Sequence, residues 1–533
     1  MSHSAVDAAL AHATHATKKT TTSITPIPDA LARHSISAGQ SEQADPVLFV
    51  TSELADFVKV GGLGDVSAAL PRALLNHYDM RVLMPAYREV LESLWPIHVI
   101  GQLPGLADIP ACELGRIELP EGLTVYVLIC PELYDRPGSP YLDESGQEWE
   151  DNAIRFARLS LAAAQMAMDA SEARFEDQGW HPDLLHLHDW QTGLAAGYLR
   201  WQGDETPCVY TIHNLAYQGL YGPEYLSRLG IPDSAFTPKG LEFYDRLSFM
   251  KAGIIYSNHI TTVSETYARE ITTPAFGCGL EGLLLDCARD KRLSGIANGI
   301  DDSWDPQTDA YLACAFATND WAGKRANTDH VRRMFRLAVS HGPLFAVVSR
   351  LVHQKGLDLT IAAAESIVRA GGQLVVIGCG EPAIENALRN LEARFPGAIG
   401  VHIGFSEREA RCIFAGSDFL LMPSRFEPCG LSQMYAQRFG SLPIAHRTGG
   451  LADTIEDGVT GFLFDELSQR DFQKAIDRAF RIFGCTELFY AMRRAAMAIH
   501  YQWRLSVTPY RRLYHQLMVP AGVTAHSLRH VSI

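Results

Sequence analysis

Short apolar runs recur along the chain, separated by stretches in which apolar residues return every three or four positions. Pro46–Thr51 (PVLFVT), Arg81–Pro85 (RVLMP), Thr124–Cys130 (TVYVLIC), Leu184–His188 (LLHLH) and Cys208–His213 are such runs. Each is too short for a self-burying helix and reads as a buried strand. Ile254–Ser264 reads the same way. Asp151–Asp169 and the segment from Thr192 carry helical spacing. The pattern then restarts. Leu344–Ser349, Gln373–Gly378, Val401–Phe405, Asp418–Pro423 and Leu442–His446 read as strands with helical stretches between them. Strands alternating with helical crossovers predict parallel, doubly wound sheets. Asn298–Gly342 is irregular by comparison and holds the expected linker. The domains expected are therefore two Rossmann-like units, 46–297 and 298–503. A last helical stretch, Leu505–Met518, carries Tyr510, Leu513 and Leu517 at helical spacing, within a terminal segment 504–533.

Residues 1–45 break this pattern. They are rich in Ala, Ser, Thr and His and read as a disordered extension without an apolar signal region. The whole chain has 533 residues, with 46 Lys plus Arg against 61 Asp plus Glu, so 46 − 61 gives a net charge of −15. That balance argues against a phosphate backbone as the main partner, so no nucleic acid is expected. No apolar run of about 18 residues is present, so no membrane span is expected. None of the ten cysteines forms a C-x-x-C pair. Their scatter fits reduced thiols in a cytoplasmic protein better than a disulfide framework or a zinc site.

Candidate chemistry gathers where predicted strands end. Lys59-Val60-Gly61-Gly62-Leu63-Gly64-Asp65 follows the first strand and precedes a helix. Adjacent glycines let backbone N–H groups approach an anion, and Lys59 adds a cation. The plain alternative is a tight turn with Asp65 as helix cap. His186 and His188 close another strand on one face, suited to substrate hydroxyls or proton handling, or to a structural turn. Arg350 and Lys355 flank the loop after strand LFAVV, beside a helix expected near Gly356, and suit a diphosphate clamp; surface ion pairing is the alternative. Arg425–Ser432 (RFEPCGLS) follows DFLLMPS. It offers a carboxylate, Glu427, and then the N–H groups of Cys429, Gly430, Leu431 and Ser432. Thr448-Gly449-Gly450 is a further small turn on the same edge. Gly277–Gly282 fits G-x-G-x-x-G, but no strand precedes it, so it is not read as a dinucleotide fingerprint. No D-x-D occurs, which favours neutralising a diphosphate with Arg and Lys rather than with a metal.

Taken together, these motifs resemble bacterial glycogen synthase and plant starch synthase, the family-5 retaining glycosyltransferases. The resemblance runs over nearly all of the chain after residue 46. It is carried by KVGGL (59–63), LYDRPGSPY (133–141), Asp151-Asn152, His188–Trp190, TIHNLAYQG (211–219), Lys251–Gly253, Gly299–Asp301, Val348–Gly356, PSRFEPCGLS (423–432) and RTGGLAD (447–453). The resemblance implies the GT-B fold: two Rossmann-like doubly wound domains facing across a deep cleft, with the C-terminal helix crossing back to the first. It implies transfer of glucose from ADP-glucose to the non-reducing 4-OH of an α-1,4-glucan, glycogen or a malto-oligosaccharide, with retention. No cofactor and no metal would be required.

The resemblance also implies roles. Lys59, Gly61 and Gly62 would lie near the donor phosphates, and Arg350 and Lys355 would stabilise the leaving diphosphate. Glu427, with Cys429, Gly430 and Leu431, would hold the glucose while Ser432 approaches phosphate. His188 would contact the sugar, Asp151 would be the functional aspartate of the first domain, and Asn298 would contact the donor. Phe405 stands where a Tyr often stacks on adenine, and Ser432 where many bacterial members have Thr. No carboxylate pair with a retaining glycosidase's spacing is evident, so front-face attack is the expected mechanism. The competing readings are a starch synthase, a UDP-glucose or sucrose synthase-like transferase, a pyridoxal-phosphate phosphorylase, and an inactive glucan-binding protein.

Overall fold

The computed structural model describes residues 44–168, 174, 175, 177 and 179–519. Nearly all of the expected leader, 1–45, and the end of the terminal segment lie outside these residues.

The first sheet contains β1 (Pro46–Val50), β2 (Asp79–Pro85), β3 (His98–Leu103), β4 (Cys112–Glu118), β5 (Thr124–Ile129), β6 (Arg174–Phe175), β7 (Leu184–His188) and β8 (Cys208–Ile212). A small antiparallel sheet follows, made of β9 (Leu220–Tyr221), β10 (Glu242–Phe243) and β11 (Arg246–Ser248). The main sheet then resumes with β12 (His259–Thr262) and β13 (Leu293–Gly295), in the order β13-β12-β8-β7-β1-β2-β5-β4-β3-β6. It is parallel from β13 to β5 and antiparallel from there to β6. The expectation of a parallel sheet thus holds for the central strands only. The outer strands lose the two-sided cover that a parallel sheet needs, and β3 shows it with exposed or half-buried residues along most of its length.

The second sheet is wholly parallel: β14 (Leu344–Val348), β15 (Gln373–Gly378), β16 (Ile399–Ile403), β17 (Phe419–Met422), β18 (Leu442–His446) and β19 (Phe462–Phe464), ordered β16-β15-β14-β17-β18-β19. Its apolar strands are buried on both faces, and two separate cores fill the two sides.

Three segments differ from their sequence pattern. Ile254–Tyr256 ends the helix Phe249–Tyr256 rather than starting a strand; only His259–Thr262 pairs. The β-branched and apolar residues on either side of Ser257 merge two elements into one apparent run. The irregular stretch 298–342 contains the helix Trp321–Met334, whose charged surface hides its period. The strand expected at Val401–Phe405 sits two residues earlier, because Gly404 has a φ of +151° and breaks the extended chain.

The chain crosses between the two sheets twice, side by side. Ile300 N–H bonds Tyr501 O at 2.8 Å, and a Cβ on Gly299 would come within 2.7 Å of Trp503 N. After the second crossing, the helix Trp503–Met518 packs onto the first domain. Trp503, Val507, Tyr510, Leu513 and Tyr514 join its core. Tyr514 Oη lies 2.6 Å from His186 Nδ1 beneath β7.

Candidate active site

Strand order reverses between β1 and β7 in the first sheet and between β14 and β17 in the second. Ligands in open α/β sheets bind beyond the carboxyl ends of strands at such reversals. The candidate residues lie there: the Lys59 loop after β1, His188 at the end of β7, Arg350 and Lys355 after β14, and Glu427 after β17.

In the second domain the two loops are stitched to each other. Gln354 Nε2 donates to Phe426 O at 3.0 Å, and Arg425 N–H donates to Gln354 O at 2.8 Å. Arg425 forks onto Asp358 with both bonds at 2.9 Å. Gly356 turns the first loop at φ +67°, and a Cβ there would fall 1.9 Å from Pro423 O. Only glycine lets the loops approach so closely. The framework sets Lys355 Nζ 2.6 Å from Glu427 Oε2, which also accepts from Ser424 Oγ at 3.0 Å. The Glu427 side chain is 7% exposed, so its charge is compensated where water is scarce. Arg350 is exposed, and its guanidinium has no ion pair or hydrogen bond among the described residues. Ser432 opens the helix Ser432–Arg438, with Oγ 3.4 Å from Val348 O. Asn298 and Cys429 are buried, and Asn298 Oδ1 has no partner among the described residues.

In the first domain the geometry changes one expectation. The N–H of Gly61 is not open to a ligand. Glu53 Oε2 accepts from Val60 N–H at 2.7 Å and from Gly61 N–H at 3.1 Å, while Glu53 Oε1 accepts from Tyr141 Oη at 2.5 Å. Glu53 is only 3% exposed. The protein's own carboxylate fills the concave part of this loop. The first-turn amides of the helix Gly62–Leu74 lie beyond it, where helix geometry leaves N–H groups without an intrahelical partner. Asp65 is not the cap; it lies inside that helix and pairs with Lys59 Nζ at 2.7 Å.

His188 is fully buried. Its Nδ1 lies 2.9 Å from His213 Nε2, its ring stacks on Phe49 at 3.9 Å, and its Nε2 has no partner among the described residues. Burial holds His188 and His186 well below the ordinary histidine range and pushes His213 down to about 3. A neutral His188 can exchange a hydrogen bond with a hydroxyl but does not store a proton for acid catalysis. Asp151 stands apart from this group. It forks onto Arg136, at 2.8 and 2.6 Å, at the start of the helix Asn152–Ala167.

The two ends meet across the cleft. A Cβ on Gly62 would sit 3.7 Å from Leu431 Cδ1, and Lys59 Nζ lies 5.9 Å from the centre of the Phe405 ring. Phe405 is 69% exposed, an open aromatic face beside a cation.

Comparison with known proteins decides what this cleft is. Residues 46–286 match the model of the starch synthase catalytic domain, and residues 334–482 that of glycosyl transferases group 1. A glycogen synthase of Pseudomonas syringae pv. syringae is 61% identical over 472 residues, covering 89% of this chain and 96% of that protein. Glycogen synthase 1 of Bradyrhizobium diazoefficiens is 57% identical, covering 87% and 99%. The chain belongs to the glycogen and starch synthase family. Among solved structures, the catalytic domain of starch synthase IV from Arabidopsis thaliana, bound to ADP and acarbose, is similar with a TM-score of 0.80. It has 31% sequence identity and covers 89% of this chain and 100% of that one. As a member of the glycogen and starch synthase family with the GT-B architecture, the chain is a glucosyltransferase.

Two further site residues of this family member escaped the sequence reading. Glu53 left one signal, an acid just after a buried strand and ahead of a glycine-rich loop. Asp189 follows His188 with φ +57° and accepts from His213 N–H at 2.7 Å, tying the ends of β7 and β8 together. Burial pushes its carboxyl up to about 7. A positive φ on a non-glycine residue is held strain, and no sequence pattern announces it.

Proposed function

We propose that this chain elongates an α-1,4-glucan, glycogen or a malto-oligosaccharide, by transferring glucose from ADP-glucose to the non-reducing 4-OH with retention. The observation that carries the reading is the compensated Lys355–Glu427 pair, with the uncommitted Arg350 at the start of the loop that carries Lys355, all on one sheet edge.

In this reading the diphosphate lies against Arg350 and Lys355, and Lys59 approaches it from the other domain. The bond between the anomeric carbon and the β-phosphate oxygen lengthens first. Positive charge grows on the sugar ring and negative charge on the departing oxygen. Glu427 lies beside the first and the two cations beside the second, in a site where electrostatic interactions are little screened. The acceptor 4-OH attacks from the face the phosphate leaves, and its proton passes to that phosphate oxygen. One glycosidic bond forms as one glycosyl phosphate bond breaks, and ADP departs. Fixed cations take the part a metal would play, so the reaction requires neither a metal nor an organic cofactor. Phe405 offers its open face to the adenine, Asn298 and His188 offer polar atoms to the donor sugar, and Asp151 acts from the acceptor side. The main-chain N–H groups of Cys429, Gly430 and Leu431, with Ser432, approach the glucose and phosphate.

The test is purified protein with glycogen primer and each sugar nucleotide in turn, with and without EDTA. Labelled glucose is expected in α-1,4 linkage from ADP-glucose, unchanged by EDTA. Preferential turnover of UDP-glucose, or none with either donor, overturns the reading.

A further inference from the structure

The helix Glu265–Glu270 belongs to the first domain and the helix Gly449–Thr454 to the second. Each helix start is met by a carboxylate of the other. Glu270 Oε1 accepts from the Thr448 hydroxyl at 2.9 Å and from Gly449 N–H at 3.0 Å, and Oε2 takes the same N–H at 3.1 Å. In return, Asp453 Oδ2 accepts from Thr266 N–H at 2.9 Å, and its Oδ1 accepts from the Thr266 hydroxyl. Ser264, which caps the first helix, also gives its hydroxyl to Pro428 O at 2.5 Å. Negative charge at a helix start satisfies orphan N–H groups and the positive end of the dipole. Here both such contacts cross between domains.

What the second helix start supports is Glu427. Gly450 N–H donates to Glu427 O at 3.0 Å. Gly449 has φ +45°, and a Cβ there would lie 1.9 Å from Glu427 O; one on Gly450 would lie 2.1 Å from Cys429 O. The main chain of Glu427–Cys429 therefore rests directly on the two glycines. They are fixed by Thr448, which is 1% exposed, and through it by Glu270 of the opposite domain.

We propose that Glu270 and Asp453 form a reciprocal clasp between the domains, in which Glu270 is a positioning residue that sets Glu427 against the first domain for glucosyl transfer. The catalytic consequence rests on the reading that Glu427 faces the donor sugar; the clasp itself does not.

The test uses the full chain with Glu270→Ala, Glu270→Gln, Asp453→Asn, Thr448→Val and Thr448→Ser. Glu270→Ala and Thr448→Val are expected to lower kcat about tenfold, as for loss of a charge-assisted hydrogen bond, while KM for ADP-glucose stays within about twofold and Tm moves by a few degrees. Glu270→Gln keeps an acceptor and falls between Glu270→Ala and the unmodified chain. Thr448→Ser keeps the hydroxyl and recovers the rate. Asp453→Asn combined with Glu270→Ala loses less than the product of the two, because either break loosens one unit. Lowered Tm with unchanged kcat assigns a merely structural role and overturns the proposal. Amide exchange separates this from failure of the functional reading. In Glu270→Ala the Gly449 and Gly450 amides are expected to exchange at least about tenfold faster, whether or not ADP-glucose is turned over. Unchanged exchange overturns the clasp by itself.

Discussion

The loop after β1 and the loop after β14 occupy equivalent places, each where the strand order of its sheet reverses, yet they are built in opposite ways. The first is filled from within. Glu53 occupies its inner amides, Tyr141 holds Glu53, and Lys59 is paired with Asp65. The second keeps charge available. Arg350 is uncommitted, and Lys355 shares the Glu427 carboxylate. The cleft of this chain thus pairs a preassembled wall with a responsive one. Preassembly avoids reorganisation when the donor arrives, and free charge is what a departing diphosphate can use.

The comparison is broken most directly on the responsive side. Lys355→Ala leaves Glu427 a buried carboxylate without its cation, and Arg350→Ala removes the free guanidinium. Each is expected to lower kcat about 10²–10³-fold, as loss of one group aimed at developing charge does. Glucose incorporation near the unmodified rate in both would refute the clamp. On the preassembled side, Glu53→Ala strands two loop amides and leaves the Tyr141 hydroxyl with Ser52 Oγ as its remaining partner. The expected cost is about 1–3 kcal/mol of stability, with a raised KM for the donor and a smaller loss of kcat than for Lys355→Ala. Urea unfolding and steady-state kinetics check both parts.

His186, His188 and His213 stay neutral in the fold because burial lowers them, but they take up protons below about 6.5 once the chain unfolds. Unfolding below that pH binds protons, so their contribution to stability falls as the pH drops. Asp189 runs the other way. Held near 7 by burial, it keeps a proton in the fold that the unfolded chain releases above about 4. Its contribution therefore declines as the pH rises from about 4 to 7. Three groups outweigh one, so Tm is expected to fall between pH 7 and pH 5, and more steeply in Asp189→Asn. A flat profile would contradict the assignment. The smallest effect is expected at Phe405. Phe405→Ala removes an open stacking face and is expected to raise KM for ADP-glucose about three- to tenfold, with kcat little changed. An equal rise for a donor lacking the base would place the ring elsewhere.

The paired strand ends were legible because short apolar runs and strand-end charges are local in sequence. The second sheet, buried on both faces, kept the pattern cleanest. The antiparallel edge was not legible, since β3 has Val99 at 56% exposure and no burial pattern to read. The helix Trp321–Met334 was hidden by its charges, and the strand–helix boundary at Ser257 by apolar residues on both sides. Of the site, the cations and Glu427 announced themselves by residue type. Asp189 and Glu270 act through backbone amides contributed by distant segments, and only the folded chain brings those together; Glu53 turns back onto amides of its own loop, a contact that residue type alone does not announce.

The return of the helix Trp503–Met518 has a consequence for how the protein is made. Of the two domains, the one synthesised earlier is finished later, because Tyr510, Leu513 and Tyr514 seal its core and Tyr514 reaches His186 under β7. Until the helix Trp503–Met518 is synthesised, the nascent first domain carries an uncovered apolar face. A chain stopped just short of Trp503 would therefore lose part of the domain translated first, while the second domain stood complete beside it.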